Sequence, residues 1–146
     1  MAFHDRAHRE DVVNESPVLD SPEAIDAHLS TSIESWERGR RGVRFVLCDG
    51  HNRVCAHCPV DDLPAVADPA DCAHAISLFA GALAESGDGG GMLVVLTRPG
   101  SSAVSDPDRV WFHTAHKVCA KSGIRLIGVH LVTPADQRPI VLDDAL

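Results

Sequence analysis

The chain has 146 residues, 45% of them hydrophobic, and a formal net charge of −8. That length suits a single domain, which buries about 68–70% of the surface its unfolded chain exposes. The acidic balance excludes a general affinity for phosphate backbones, which needs clustered Lys and Arg, and no apolar run is long enough to cross a bilayer.

Residues 1–19 are polar and punctuated, and read as a flexible N-terminal arm ahead of one α/β domain over 20–146. The opening MAFHDRAHREDVVNES has charges and no apolar h-region, so a soluble cytoplasmic protein is expected. DSPEAIDAHLSTSIESWERGRRG predicts a helix capped by Ser21, with Pro22 in its first turn and Ile25, Leu29, Ile33 and Trp36 on one stripe. Gly39 and Gly42 end it, and the basic RGRRGVR (38–44) marks the helix end rather than a nucleic-acid patch. VRFVLCDGHNRVCAHCPV predicts a hairpin turning at DGHN, with Val43, Phe45 and Leu47 on one face and Arg44, Val46 and Cys48 on the other.

A second helix is expected over 69–86, with Cys72, Ile76, Phe79, Ala80 and Leu83 inward. Met92–Thr97 has no alternation, which predicts a central strand covered on both faces. Ser105 and Asp108 form an S-x-x-D capping pair that opens a third helix, stopped by Gly123. Ile124–Val132 reads as a strand, TPADQRP as a turn and Ile140–Leu142 as a last short strand. The order α-β-β-α-β-α-β-β implies an α/β, three-layer sandwich around one mixed central sheet.

HNRVCAHC (51–58) gathers two His and two Cys, a set from which His51, Cys55, His57 and Cys58 could hold zinc or act as a redox pair. On a regular strand Cys55 and Cys58 point to opposite faces, and half-buried thiols are the competing reading. His113 and His116 lie at i, i+3 with Cys119 a further turn on, a second spacing that shares a helix face. Cys48, Cys72, His74 and His130 read as packing or surface residues. Five cysteines, an odd count in a chain with no export signal, read as reduced thiols.

The hairpin FVLCDGHNRVCAH, the strand LVVLTRPGSS, the helix start SDPD and the strand GIRLIGVHLV, taken in order over roughly 43–142, resemble the RadC-like branch of the JAB/JAMM (MPN) metalloprotein family. The resemblance implies a cytidine-deaminase-like fold. It also implies a zinc site in which a strand runs into H-x-H-P, a polar loop leads to S-x-x-D, two His and the Asp hold the metal, and a hairpin Glu activates its water. Here Pro99, Ser105 and Asp108 match that pattern, the two His positions fall on Leu96 and Arg98, and the Glu position falls near Cys58. Leucine has no lone pair, and arginine is a permanent cation that repels zinc. The resemblance therefore implies a catalytically inactive domain with no cofactor, its former metal cleft holding an Arg98–Asp108 pair.

Such a domain would act as a binding or scaffold protein. A cleft of Arg98, Gly100, Ser101, Ser102 and Asp108 would take a protein partner or an anionic small molecule, with self-association through the first helix or a sheet edge also expected. Two alternatives stay open: a metal- or thiol-dependent enzyme using zinc at 51–58, and an accessory factor in DNA metabolism, for which the acidic charge makes direct nucleic-acid contact unfavourable.

Overall fold

The computed structural model describes residues 16–146. Helix α1 (Pro22–Ser32) is followed by a short α2 (Ser35–Arg38), the strands β1 (Gly42–Cys48) and β2 (Val54–Asp61), and helix α3 (Pro69–Ser86). Then come β3 (Gly91–Thr97), α4 (Asp106–Ser122), β4 (Arg125–Val132), β5 (Gln137–Pro139) and a closing 3-10 turn, Leu142–Ala145. The chain is an α/β protein built on one mixed five-stranded sheet in the order β2-β1-β3-β4-β5. Only β3 and β4 run parallel, joined by the α4 crossover; every other neighbouring pair is antiparallel.

The two sheet faces carry two separate apolar clusters. Cys72, Ile76 and Ala80 of α3 and Trp111, Phe112, Ala115 and Cys119 of α4 pack on Val43, Phe45, Met92, Val94 and Leu96. On the opposite face Leu19, Ile25 and Leu29 of α1, and Ile33 just after it, cover Val46, Cys48, Leu93, Val95 and Val132. The hairpin alternates between these two clusters as its sequence predicts. The unbroken apolar run of β3 is buried along its length from Gly91 to Leu96, because helices cover both its faces.

Three expectations are corrected. The first helix is not continuous to Trp36. Ile33 takes extended backbone, so Trp36 leaves the buried stripe and stands 59% exposed, its indole donating to Glu34 beneath the Arg40 guanidinium. The last strand is Gln137–Pro139 rather than Ile140–Leu142. Pro139 has no N–H for a ladder, and Leu142 already belongs to the 3-10 turn. The expected arm over 1–19 lies outside the described residues through position 15, but its end is tied down: Val18 bridges Arg53, Leu19 N–H donates to Asn52 (2.8 Å), and Leu19 is buried.

The short α2 has a structural role. The Arg38 fork donates to the Thr133 carbonyl (2.8 Å), the Gln137 side chain (2.8 Å) and the Asp136 carbonyl (3.1 Å), which fixes the β4–β5 turn. Among the described residues no helix is long and apolar enough to cross a membrane.

One contact between α1 and the sheet is titratable. His28 of α1 and His57 of β2 share a hydrogen bond, Nε2 to Nε2, at 2.8 Å. One ring must donate and the other accept, so the contact needs at least one neutral imidazole. His57 Nδ1 is buried without a partner. A bare nitrogen there costs less than an orphaned N–H, which puts the His57 hydrogen on Nε2. Burial, then the nearby His28 and Arg44 charges, push His57 down to about 4; burial and Arg44 lower His28 as well. Burial alone takes His130 of β4 down to about 4 against the opposing pull of Asp26.

These histidines take up protons in the unfolded chain, near pH ~6.5, before they do so in the folded one. Their contribution to stability is complete above about pH 6.5 and falls as pH drops toward about 4. Urea melts across this window are expected to show that decline, with a shallower slope in His57→Gln; a flat profile between the two pH limits contradicts it.

Candidate functional site

The end of β3 and the start of α4 meet over Asp108. The parallel ladder continues one residue past the strand, where Arg98 N–H donates to the Val132 carbonyl. The chain then turns through Pro99 and Gly100, the latter at φ 94°, and loops back to the α4 cap at Ser105. Asp108 is the third residue of the helix, where a carboxylate faces the positive end of the dipole and the unsatisfied amides. Its Oδ2 accepts the Ser105 N–H at 2.9 Å, completing the cap that the S-x-x-D spacing predicts.

Into this corner β3 delivers Arg98. Its Nε lies 3.2 Å from both carboxylate oxygens of Asp108, and Nη2 lies 2.8 Å from Oδ2. The other guanidinium hydrogens go to the loop: Nη2 donates to the Ala103 carbonyl (2.7 Å), and Nη1 to those of Pro99 (3.0 Å) and Ser101 (2.8 Å). Arginine has five N–H donors, and all five are engaged. The two side chains are 12% and 4% exposed, so the ion pair is shielded. Leu96, two residues back on the same strand face, lines the same crevice as Arg98, Asp108 and Trp111, with about 30 Å³ left open. That is room for roughly one water.

Of the residues predicted for a cleft, Leu96, Arg98, Ser105 and Asp108 come together. Gly100 and Ser101 lie beside the guanidinium, the Ser101 carbonyl accepting from it, while Ser102 turns to other parts of the protein. The Ser102 hydroxyl donates to Asp136 (3.1 Å) and its carbonyl accepts from Arg138 (3.3 Å). An anion would find no free donor on Arg98. Cys58 does not join the crevice. It sits opposite Phe45, one pleat further from the sheet end than the Leu96–Val43–Val60 row, and packs under the main core.

The 51–58 cluster is dispersed. His51 is exposed in the hairpin turn, His57 faces α1, and Cys58 faces α3 and α4. Cys55 is the extra residue at an irregularity where Leu47 pairs Ala56 and Cys48 pairs Val54, and it is exposed. Burial followed by the Asp49 and Asp88 charges raises its thiol, while Cys48, Cys72 and Cys119 are pushed up to about 11, so all four stay protonated near neutrality. Cys119 does not share the exposed face of His113 and His116 either: it is buried in the core. Among the described residues, no three His, Cys, Asp or Glu side chains converge on a point that could hold a metal.

A far larger recess lies elsewhere and has a volume of about 1000 Å³. It runs along the outer edge of β4 between the first turn of α1, the Phe112–His116 face of α4 and the segment after β5. Sequence reading missed it because its walls come from four separated stretches. The one local signal is Gly128, a glycine inside an otherwise bulky strand, which often marks a bulge. Here Met92 pairs Leu126 and Leu93 pairs Gly128, leaving Ile127 as the extra residue.

No protein-family model matches the chain, and no curated protein matches it either.

Removing one partner of the Arg98–Asp108 pair strands a shielded charge. Arg98→Ala is expected to lower stability by about 3–5 kcal/mol, read as a drop in the urea midpoint. Arg98→Lys recovers only part of this, since an ammonium cannot reproduce the planar fork that holds the carboxylate and three carbonyls together. An unchanged midpoint in Arg98→Ala contradicts the assignment.

Proposed function

We propose that this protein is a catalytically silent relative of the RadC-like branch of the JAB/JAMM family, and that it works by binding rather than by hydrolysis. The observation that carries the reading is the occupancy of one corner of the fold. Where the family pattern puts two imidazoles and a carboxylate around zinc, Leu96, Arg98 and Asp108 line one crevice, and the guanidinium spends every N–H donor on Asp108 and the carbonyls of the adjoining loop. A fixed positive charge in contact with the carboxylate cancels the attraction that a divalent cation would need. The aliphatic Leu96 offers no electron pair, so the corner has no means to lower the pKa of a water.

The architecture supports the same reading. A sheet ordered β2-β1-β3-β4-β5, with one parallel pair and helices on both faces, is compatible with the cytidine-deaminase-like topology that the resemblance implies. Cys58, at the place nearest the family's catalytic Glu, is partly buried against the main core and lies outside the crevice. The Arg98–Asp108 pair takes over the metal's structural task, which is to hold a strand end and a helix start together. On this reading the chain works by binding, with a protein partner or an anionic small molecule as its ligand.

Protein purified without chelator is expected to carry no stoichiometric zinc, and its melting temperature is expected to be the same with and without added zinc. One zinc per chain that disappears in Asp108→Asn, or isopeptide cleavage abolished by chelator, overturns the reading.

A further inference from the structure

We propose that the groove along β4 binds an extended peptide segment of a partner protein, apolar along its length and basic at one end, which adds to the sheet as a strand in line with β5.

The geometry comes from how β5 ends. It pairs with β4 only from His130 to Val132. One more bond follows, from Ile140 N–H to the Val129 carbonyl at 2.8 Å, and the chain then turns into the 3-10 segment. From Arg125 to Gly128, β4 has no strand on its outer side among the described residues. Such an edge presents unpaired N–H and C=O groups to an incoming chain. This edge is walled on both sides. Ile25 and Asp26 of α1 stand over one face, and Phe112 and His116 of α4 over the other. An added strand would place alternate side chains against each wall, and a segment covered on both faces is apolar at consecutive positions. Two of the exposed large apolar side chains of the chain, Val141 (49%) and Leu142 (65%), sit on the groove's rim.

Charge selects the end group. Glu23 and Asp26 line the groove, and no Lys or Arg does. A second copy of this chain is a poor occupant. Its β4 would be recessed behind the same walls, and it would bring the same two carboxylates against these. A single narrow strand with a basic end meets both conditions.

The floor carries an independent mark. His130 is 6% exposed, and its Nδ1 has no hydrogen-bond partner. Beside it is Gly128, where a Cβ would lie 3.7 Å from that Nδ1. A side chain at Gly128 would stand against this ring on the groove floor and fill the space there, without straining the backbone.

The inference takes from the preceding section only that the chain works by binding. The test is selection of random short linear peptides on the immobilised full-length protein. Enrichment of Val-, Ile-, Leu- or Phe-rich runs next to Lys or Arg is expected, and the synthetic versions should slow hydrogen exchange of β4 amides. Gly128→Val is expected to weaken them by about tenfold or more, and Glu23→Lys by about threefold, the latter only for peptides that keep the basic end. Thermal melts of both variants separate a blocked groove from a lost fold, and Glu23, exposed in the first turn of α1, leaves the core untouched. No enriched sequence, or peptides whose binding survives both variants, overturns the proposal. Zinc titration does not respond to either variant, so the two readings fail separately.

Discussion

One guanidinium organises the corner of this fold where β3 ends and α4 begins. Arg98 is placed by the β3 ladder, whose last bond its own N–H makes to β4, and it answers the carboxylate that caps α4. It also gathers the carbonyls of Pro99, Ser101 and Ala103, so a loop containing glycine and two serines acquires one defined path. A strand, a helix cap and a loop thus depend on a single side chain. Without it, a carboxylate that is nearly out of contact with water and a set of inward-turned carbonyls would each need another partner.

The two faces of the sheet are specialised in different ways. The α3/α4 face is a continuous aliphatic and aromatic core, in which Phe45 stacks on Phe79 at 4.6 Å. The α1 face is thinner and carries polar inclusions: the His28–His57 contact, the buried His130, and an Arg44–Glu37 ion pair at the end of the helical segment. A face closed by one helix buries less apolar surface, and imidazoles that must stay neutral make its closure sensitive to protons. The groove opens where this thinner layer ends, at the first turn of α1.

What the sequence made legible were the elements with strong local signals. The span of α3 and the cap and stop of α4 follow from helical periodicity with proline at one end and glycine at the other, and β3 from an unbroken aliphatic run. The Arg98–Asp108 contact was expected only through the resemblance, which sets two positions ten residues apart at one strand end and helix start. The break after Ser32 was not, since Ile33 and Trp36 keep helical spacing whether or not the backbone between them bends. The three-residue β5 was hidden because its pairing depends on where β4 lies. The groove had no sequence signature beyond Gly128, as it exists only when residues far apart in the chain surround one strand edge.

The fork that Arg38 throws across Thr133, Asp136 and Gln137 changes how the β4–β5 connection should be treated. TPADQRP has the composition of a permissive surface tip, the kind of place where a reporter or an affinity tag is ordinarily inserted. Here it is stitched to the chain's opening third, and Gln137 reaches further, to Asp26. Splicing foreign sequence into it would pull on α1 and α2 together, whereas the exposed stretch Pro64–Val66 between β2 and α3 offers an attachment point without that tether.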